Sequence, residues 1–280
     1  MNNIRKFYLR SEDDKEDRAS TGWLMKWKIG DYWIKSSGYT VNYTWESVAE
    51  ALASTIAKDL NLEYCIEYKL CIINVDGVNL IGCISKDYNK PGLLELKVQR
   101  MVESSYLNRK NYFGESGYNQ LIKEIKELFD IDIRKYLENT ILIDSIILNS
   151  DRNLWNISIM LDKKTAQGHI APIYDFGNSL GLASGKSGSF YDEYKYSSGL
   201  RARPFDINFE NQLKYIRNTR EFKGELTKTK ELLSILYNEF TVNNNRYNVA
   251  NPLTEDMLKY VYQVITKRYN SIIINKLWKD

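Results

Sequence analysis

Three side chains in one short region have the types and spacing to hold a cation and move a proton. In "NSDRNLWNISIML" (149–161), Asp151 is followed five residues later by Asn156, and in "IAPIYDFGNSL" (170–180) an apolar segment ends at Asp175. A carboxylate can accept a proton, while a second carboxylate and an amide oxygen are the hard ligands that Mg²⁺ favours. Phosphoryl transfer from ATP asks for little more: cations for the phosphates, oxygens for the metal, and one carboxylate for the acceptor hydroxyl. Asp151 and Asn156 are therefore candidate catalytic residues, and Asn156 with Asp175 candidate metal ligands. Each motif alone recurs by chance, and an aspartate at the end of a helix or strand is often just a turn or cap residue. Their order and context carry the argument.

The elements around them must bring distant oxygens together. The run Ile141 to Leu148, broken by Asp144, reads as the end of a helix that opens into the Asp151 loop. Strand 157–161, turn 162–168 and strand 169–174 then form a hairpin that returns Asp175 to the side of Asn156. This is the spacing logic of kinase catalytic loops, D-x-x-x-x-N followed by D-F-G. Upstream, 23–29 and 32–36 read as a hairpin around Gly30-Asp31, with Lys35 in its second strand. Residues 44–62 read as a helix capped by Thr44, with Val48, Leu52, Ala53, Ile56 and Leu60 at helical spacing. Asp76-Gly77 joins two further strands. Residues 20–86 thus read β-β-α-β-β. Glu50 lies at the edge of the helix's apolar arc, near Ala53 and Ala57, where small neighbours let a carboxylate turn inward. A strand lysine paired with a helix glutamate orients a phosphate-binding ammonium in kinases, although a strand lysine more often faces solvent. Ile84 and Ser85, in the strand leading out of this lobe, complete the expected nucleotide-binding set with Lys35 and Glu50. Pro91-Gly92 marks a lobe boundary. Residues 115–148 and 209–280 read as mostly helical, and 181–203 as an exposed Gly/Ser-rich segment. The domain reading is 1–86 for an N-lobe and 87–280 for a C-lobe.

Bulk properties narrow the classes. The chain has 280 residues, 43% hydrophobic, and a net charge of +3, which gives no strong case for nucleic acid. One histidine excludes most His-dependent triads and multi-His metal sites, and three cysteines without a C-x-x-C pair read as reduced thiols of a cytoplasmic protein. The N-terminus has no apolar signal region, and no run is long enough for a bilayer. The tryptophans Trp23, Trp27, Trp33 and Trp45 read as hairpin and core packing rather than as bases' stacking partners. His169 reads as structural.

Together these segments resemble the HipA family of bacterial Ser/Thr protein kinases. Asn149, Ser150, Asp151, Arg152 and Asn156 fit a core N-[ST]-D-R-H-x-x-N, and Ala171, Pro172, Tyr174 and Asp175 fit A-P-x-[YF]-D. "YWIK" and "EALASTIAKDLNL" fit the family's ATP-lysine strand and its glutamate helix, at Lys35 and Glu50. "RARPFDINFENQLKYI" (201–216) resembles a later segment of the shorter, CtkA-like members. The resemblance spans about residues 20–220. It implies an α+β, two-lobed protein-kinase-like fold, related to the phosphoinositide kinases, with a small β-rich N-lobe and a mostly helical C-lobe. It also implies ATP and Mg²⁺ as cofactors, a protein substrate, and an antitoxin or other regulatory protein as a candidate partner. Toxin and effector roles both stay open. Asn153 replaces the usual histidine, and the chain is expected to lack the extra N-terminal subdomain of full-length HipA. The loop before the first hairpin has a single glycine, Gly22; in this family that loop can be autophosphorylated, which makes Ser20 and Thr21 candidates. The competing readings are a pseudokinase or scaffolding module, and a kinase for a small molecule or lipid.

Overall fold

The computed structural model describes residues 4–13, 24–38, 44–104, 106–107, 112–183, 200–217, 222 and 224–277. The N-terminal half is built on a five-stranded sheet of β1 (Lys6–Leu9), β2 (Lys26–Ile29), β3 (Tyr32–Ser36), β4 (Tyr68–Val75) and β5 (Val78–Lys86), in the order β1-β4-β5-β3-β2. β1 pairs parallel to β4 at an edge and the rest are antiparallel. β1 carries no strong sequence signal, because four residues beside a charged run show too little alternation. Asp76 and Gly77 both have positive φ, +48° and +93°, as the tight turn between β4 and β5 requires.

Strand alternation sends side chains to opposite faces. Ile72, Ile81 and Cys83 join the main core under α1 (Glu46–Asp59). Trp27, Ile34, Cys71, Ile73, Leu80 and Ile84 form a second cluster on the other face. The helix starts at Trp45 without a side-chain cap; the Thr44 hydroxyl instead accepts the Gly38 N–H at 2.8 Å, so Thr44 braces the preceding loop and is not the cap. Trp27 and Trp45 are buried, with indole N–H groups donated to the carbonyls of Arg10 and Asn251. The three cysteines are free thiols, and burial pushes Cys65 and Cys83 up to about 12.

The second half is mainly helical around a small sheet, β6 (Leu93–Lys97), β7 (Ser158–Asp162) and β8 (Gly168–Ile170), in the order β6-β7-β8. β8 ends three residues after Asp162's turn and does not run on to Tyr174. Pro172 has no N–H to give a ladder, and Ile173 pairs instead with the loop after α1, donating to Tyr64 O at 2.7 Å and accepting from Ile66 N at 3.0 Å. The helices are α2 (Val98–Glu103), α3 (Gly114–Phe129), α4 (Arg134–Ile147), α5 (Phe209–Gln212), α6 (Thr227–Phe240) and α7 (Glu255–Tyr269), the last continuing in π-helical turns over Asn270–Leu277. Leu182 and Ala202 are buried and anchor the described ends of 181–203, while Arg201 and Arg203 on either side of Ala202 are exposed. No helix among the described residues is long and apolar enough to cross a membrane.

The chain's last third ties the two halves together. Asp59, at the end of α1, accepts the Lys228 and Thr229 N–H groups at 3.1 and 2.8 Å and the Thr229 hydroxyl at 2.7 Å, closing the N-terminus of α6. The backbones come so close there that a Cβ on Gly224 would lie 1.8 Å from Asp59 O, which excludes any other residue. Asn251 makes a second tie, accepting the Ile81 N–H at 3.1 Å. Replacing Asp59 by Ala leaves a helix start without its anionic acceptor, so Asp59→Ala is expected to lower stability by about 3 kcal/mol and Asp59→Asn by less. Urea unfolding measures this; a loss under about 0.5 kcal/mol would show that α1 and α6 are held by apolar packing alone.

Candidate active site

Lys35 sits on β3 with its side chain on the α1 face, opposite Cys83 of β5. Its ammonium donates to Glu50 Oε1 at 2.7 Å and to the Tyr68 hydroxyl at 3.2 Å. Burial alone would lower the pKa of Lys35, but Glu50, Tyr68 and Asp175 outweigh it and hold the ammonium well above the usual lysine value. Glu50 is 1% exposed, and its second oxygen accepts the Phe176 N–H at 2.9 Å. One carboxylate thus joins a strand lysine to the residue after Asp175, which lies 126 residues beyond Glu50 in the sequence.

The loop 149–156 begins where α4 ends at Leu148, in the left-handed region with φ +54°. Asn149 holds the turn: its amide nitrogen donates to Asp144 Oδ1 at 3.0 Å and its oxygen accepts the Asp151 N–H at 3.2 Å. Asn153 and Asn156 form a reciprocal capping box around the single turn 154–156. Asn153 stands where the resembling family has histidine, and its short amide makes this turn itself by accepting the Trp155 N–H at 2.8 Å. Asn156 then donates from Nδ2 to Asp175 Oδ2 at 2.8 Å, which brings the two candidate metal ligands together. Asp175 is exposed and has φ +65°, a strained setting that aspartate tolerates better than most residues.

Asp151 is exposed at the mouth of the loop, and no described residue hydrogen-bonds its carboxylate. Partial burial and the charge of Asp175 raise its pKa, against Arg203 and Arg152. A carboxyl with open lone pairs beside the negative charge of Asp175 suits proton acceptance.

Sequence reasoning left Asp144 and Arg152 without roles, and they form the floor of the site. Arg152 is fully buried and bidentate on Asp144, through Nε at 2.7 Å and Nη2 at 3.1 Å, while Nη1 donates to the Tyr174 carbonyl at 2.5 Å. Its guanidinium also lies 5.3 Å from the centre of the Phe176 ring. The signal was present: an aspartate inside an apolar helix must find a partner. A second unassigned group gathers around Tyr174, the residue before Asp175. Tyr174 stacks on Tyr88 at 5.5 Å, and Lys97 hydrogen-bonds both the Tyr174 hydroxyl and Glu95.

The other expected residues divide. Ser85 is buried on the Lys35 face, opposite Trp33 and Tyr68. Ile84 points to the opposite face, and its backbone lies in the ladder between β3 and β4. Ser20 and Thr21 lie outside the described residues. His169 is exposed on β8, away from the cluster.

As oxygen donors, Asp175 and Asn156 fit Mg²⁺. The Asn156 carbonyl accepts the Asn153 N–H at 3.2 Å and keeps a second lone pair. Groups of three or more Asp, Glu, His or Cys able to cage a metal are absent among the described residues. Two protein oxygens completed by phosphate is the usual arrangement for this ion.

Removing one member of the buried pair isolates the other. Arg152→Met is expected to cost about 3–5 kcal/mol, and the double variant Arg152→Met, Asp144→Leu to recover at least half of that. A denaturation double-mutant cycle reads the coupling; simple additivity would mean that the pair does not act as a unit.

Protein-family models and curated protein sequences give no match to this chain. Solved structures do. The proinflammatory kinase CtkA of Helicobacter pylori superposes with a TM-score of 0.58 at 13% identity, over 90% of this chain and 91% of that one. HipA of the Shewanella oneidensis MR-1 toxin–antitoxin system, solved with HipB and operator DNA, gives 0.51 at 11% identity, over 92% of this chain and 66% of that one. The chain therefore shares the two-lobed α+β architecture of these two structures, with a β-rich first lobe and a helical second.

Proposed function

We propose that this chain is an ATP- and Mg²⁺-dependent protein kinase that phosphorylates serine or threonine hydroxyls, itself included. The observation that carries the reading is the continuous hydrogen-bonded path Lys35–Glu50–Phe176 beside Asn156–Asp175. It gathers a cation and two metal-type oxygens from widely separated segments, with Asp151 open alongside. A purely structural network would leave no reason for an exposed carboxylate pair, Asp151 and Asp175, at its edge.

In this reading Lys35 stays protonated and holds phosphate oxygens, with Glu50 fixing its direction. Asp175 and Asn156 would hold Mg²⁺, which neutralises charge on the transferring phosphoryl group. Asp151 accepts the proton of the attacking hydroxyl. The Arg152–Asp144 floor keeps Asp151 and Asp175 at fixed separation, so little reorganisation is needed during transfer. Ser20 and Thr21 remain the proposed self-phosphorylation sites.

The direct test is transfer from labelled ATP in Mg²⁺, alone and with cell lysate. Asp151→Asn is expected to lower transfer at least about 100-fold while nucleotide still binds. Near-normal turnover by a folded variant would remove Asp151 as the base. The raised pKa of Asp151 also sets a pH dependence. Its basic form is lost as pH falls through a value above the ordinary aspartate range near ~3.9, so the acid limb of kcat/KM should lie above that range and vanish in Asp151→Asn.

The metal assignment has its own check. Asp175→Ala should weaken Mg²⁺-dependent ATP binding more than Asn156→Ala, because a full charge meets the dication in one case and a dipole in the other. Calorimetry at matched Mg²⁺ decides it, and equal affinities for Asp175→Ala and wild type would sink the assignment.

A further inference from the structure

A groove of about 330 Å³ opens beside the catalytic loop, and none of the proposed phosphate-handling residues lines it. One wall is the loop itself at Asn153 and Leu154; the other is the strap 201–207. The strap is firmly held. Phe205 is buried against Tyr118 and Tyr215, at 5.1 and 6.3 Å between ring centres. Its carbonyl accepts the Gly114 N–H at 2.7 Å, and its N–H donates to buried Gln212 at 3.2 Å. Ala202 is also buried, and its N–H donates to Ile207 O at 3.1 Å.

With Ala202 and Phe205 turned inward, Arg201 and Arg203 face out along the groove, both exposed. Neither guanidinium has a hydrogen bond or ion pair among the described residues, since Asp206 is committed to Asn208 N–H and Asn211. The charge of Arg203 is felt at Asp151. Phe113 and Ile207, 46% and 60% exposed, add apolar surface to the same lining.

We propose that this groove docks the acceptor as an extended protein segment bearing an acidic residue close to the hydroxyl, with Arg201 and Arg203 as its carboxylate partners. The inference rests on the kinase reading and adds the substrate class to it. Two guanidinium forks without a partner among the described residues, one of them near enough for its charge to reach Asp151, can each take a carboxylate in bidentate fashion and repel a basic segment. A peptide fits better than a polynucleotide. Among the described residues the lining offers two cations, Arg201 and Arg203, one carboxylate, the amides of Gln99 and Asn153, and otherwise aromatic and apolar side chains, whereas a nucleic-acid track needs a row of cations along successive phosphates.

The test uses short fluorescein-labelled peptides with one serine and acidic, neutral or basic flanks. Binding to the full chain is read by anisotropy, and phosphate incorporation from labelled ATP in parallel. The acidic peptide should bind at least about tenfold more tightly than the neutral one, and the R201E/R203E double variant should favour the basic peptide instead. Three results would overturn the groove assignment: equal wild-type affinity for acidic and neutral peptides, a preference that survives charge reversal, or equally tight binding of a thymidine oligonucleotide of matched charge. Because binding is read without transfer, the two readings fail separately. Acid-selective binding without incorporation supports the groove and refutes the kinase; incorporation without acid preference refutes the groove and supports the kinase.

Discussion

A guanidinium with no exposed surface has to satisfy its donors inside the protein, and the site is arranged around how Arg152 does so. Taking two ions out of water costs several kcal/mol per ion, which close geometry and further hydrogen bonds can offset. Arg152 meets both conditions, with two bonds to Asp144 and one to the Tyr174 carbonyl. Asp144 belongs to α4, Arg152 to the loop that follows, and Tyr174 to the segment after β8. The pair therefore fixes three pieces of backbone at once, and Asp151 and Asp175 are the residues next to its anchor points. An apolar trio of the same volume could fill the space but would not set direction.

Glu50 performs the matching task between the lobes. Its two oxygens point to different partners, Lys35 in the first lobe and the Phe176 N–H in the second. The Phe176 ring in turn packs against the Arg152 guanidinium, so the two junctions share a residue, one through its backbone N–H and the other through its ring. Lys35, Glu50, Asp175 and Arg152 consequently behave as one network of alternating charge. The ties from Asp59 to α6 and from Asn251 to β5 hold the halves together at the back of α1. Asp151, Asp175, Arg201, Arg203 and Ile207, by contrast, face solvent.

Much of this was legible from local pattern. The hairpin turn at Asp76-Gly77, the periodic apolar positions of α1, and the loop–hairpin–loop order from Asp151 to Asp175 depend on near neighbours and backbone preferences. Those signals survive in a single sequence. Two of the elements that were missed or misplaced depend on partners far along the chain, and the third on a loop contact six residues away. β1 exists because β4 offers an edge to it. β8 stops early because Ile173 finds Tyr64 and Ile66. Thr44 does not cap α1 because Gly38 claims its hydroxyl.

The sequence by itself determined the chemical types and their order: a strand lysine, a helix glutamate, D-x-x-x-x-N, and D-F-G after a hairpin. Only the tertiary structure decided which of these meet. Composition could not show that Glu50 spans Lys35 and Phe176, that Ile84 lies on the sheet face opposite Lys35 while Ser85 shares its face, or that Arg152 is interior while Arg201 and Arg203 are not. The physical reason is that a charge's role depends on its desolvation and on partners within a few ångströms. Both are properties of chain segments that fold together from opposite ends of the sequence.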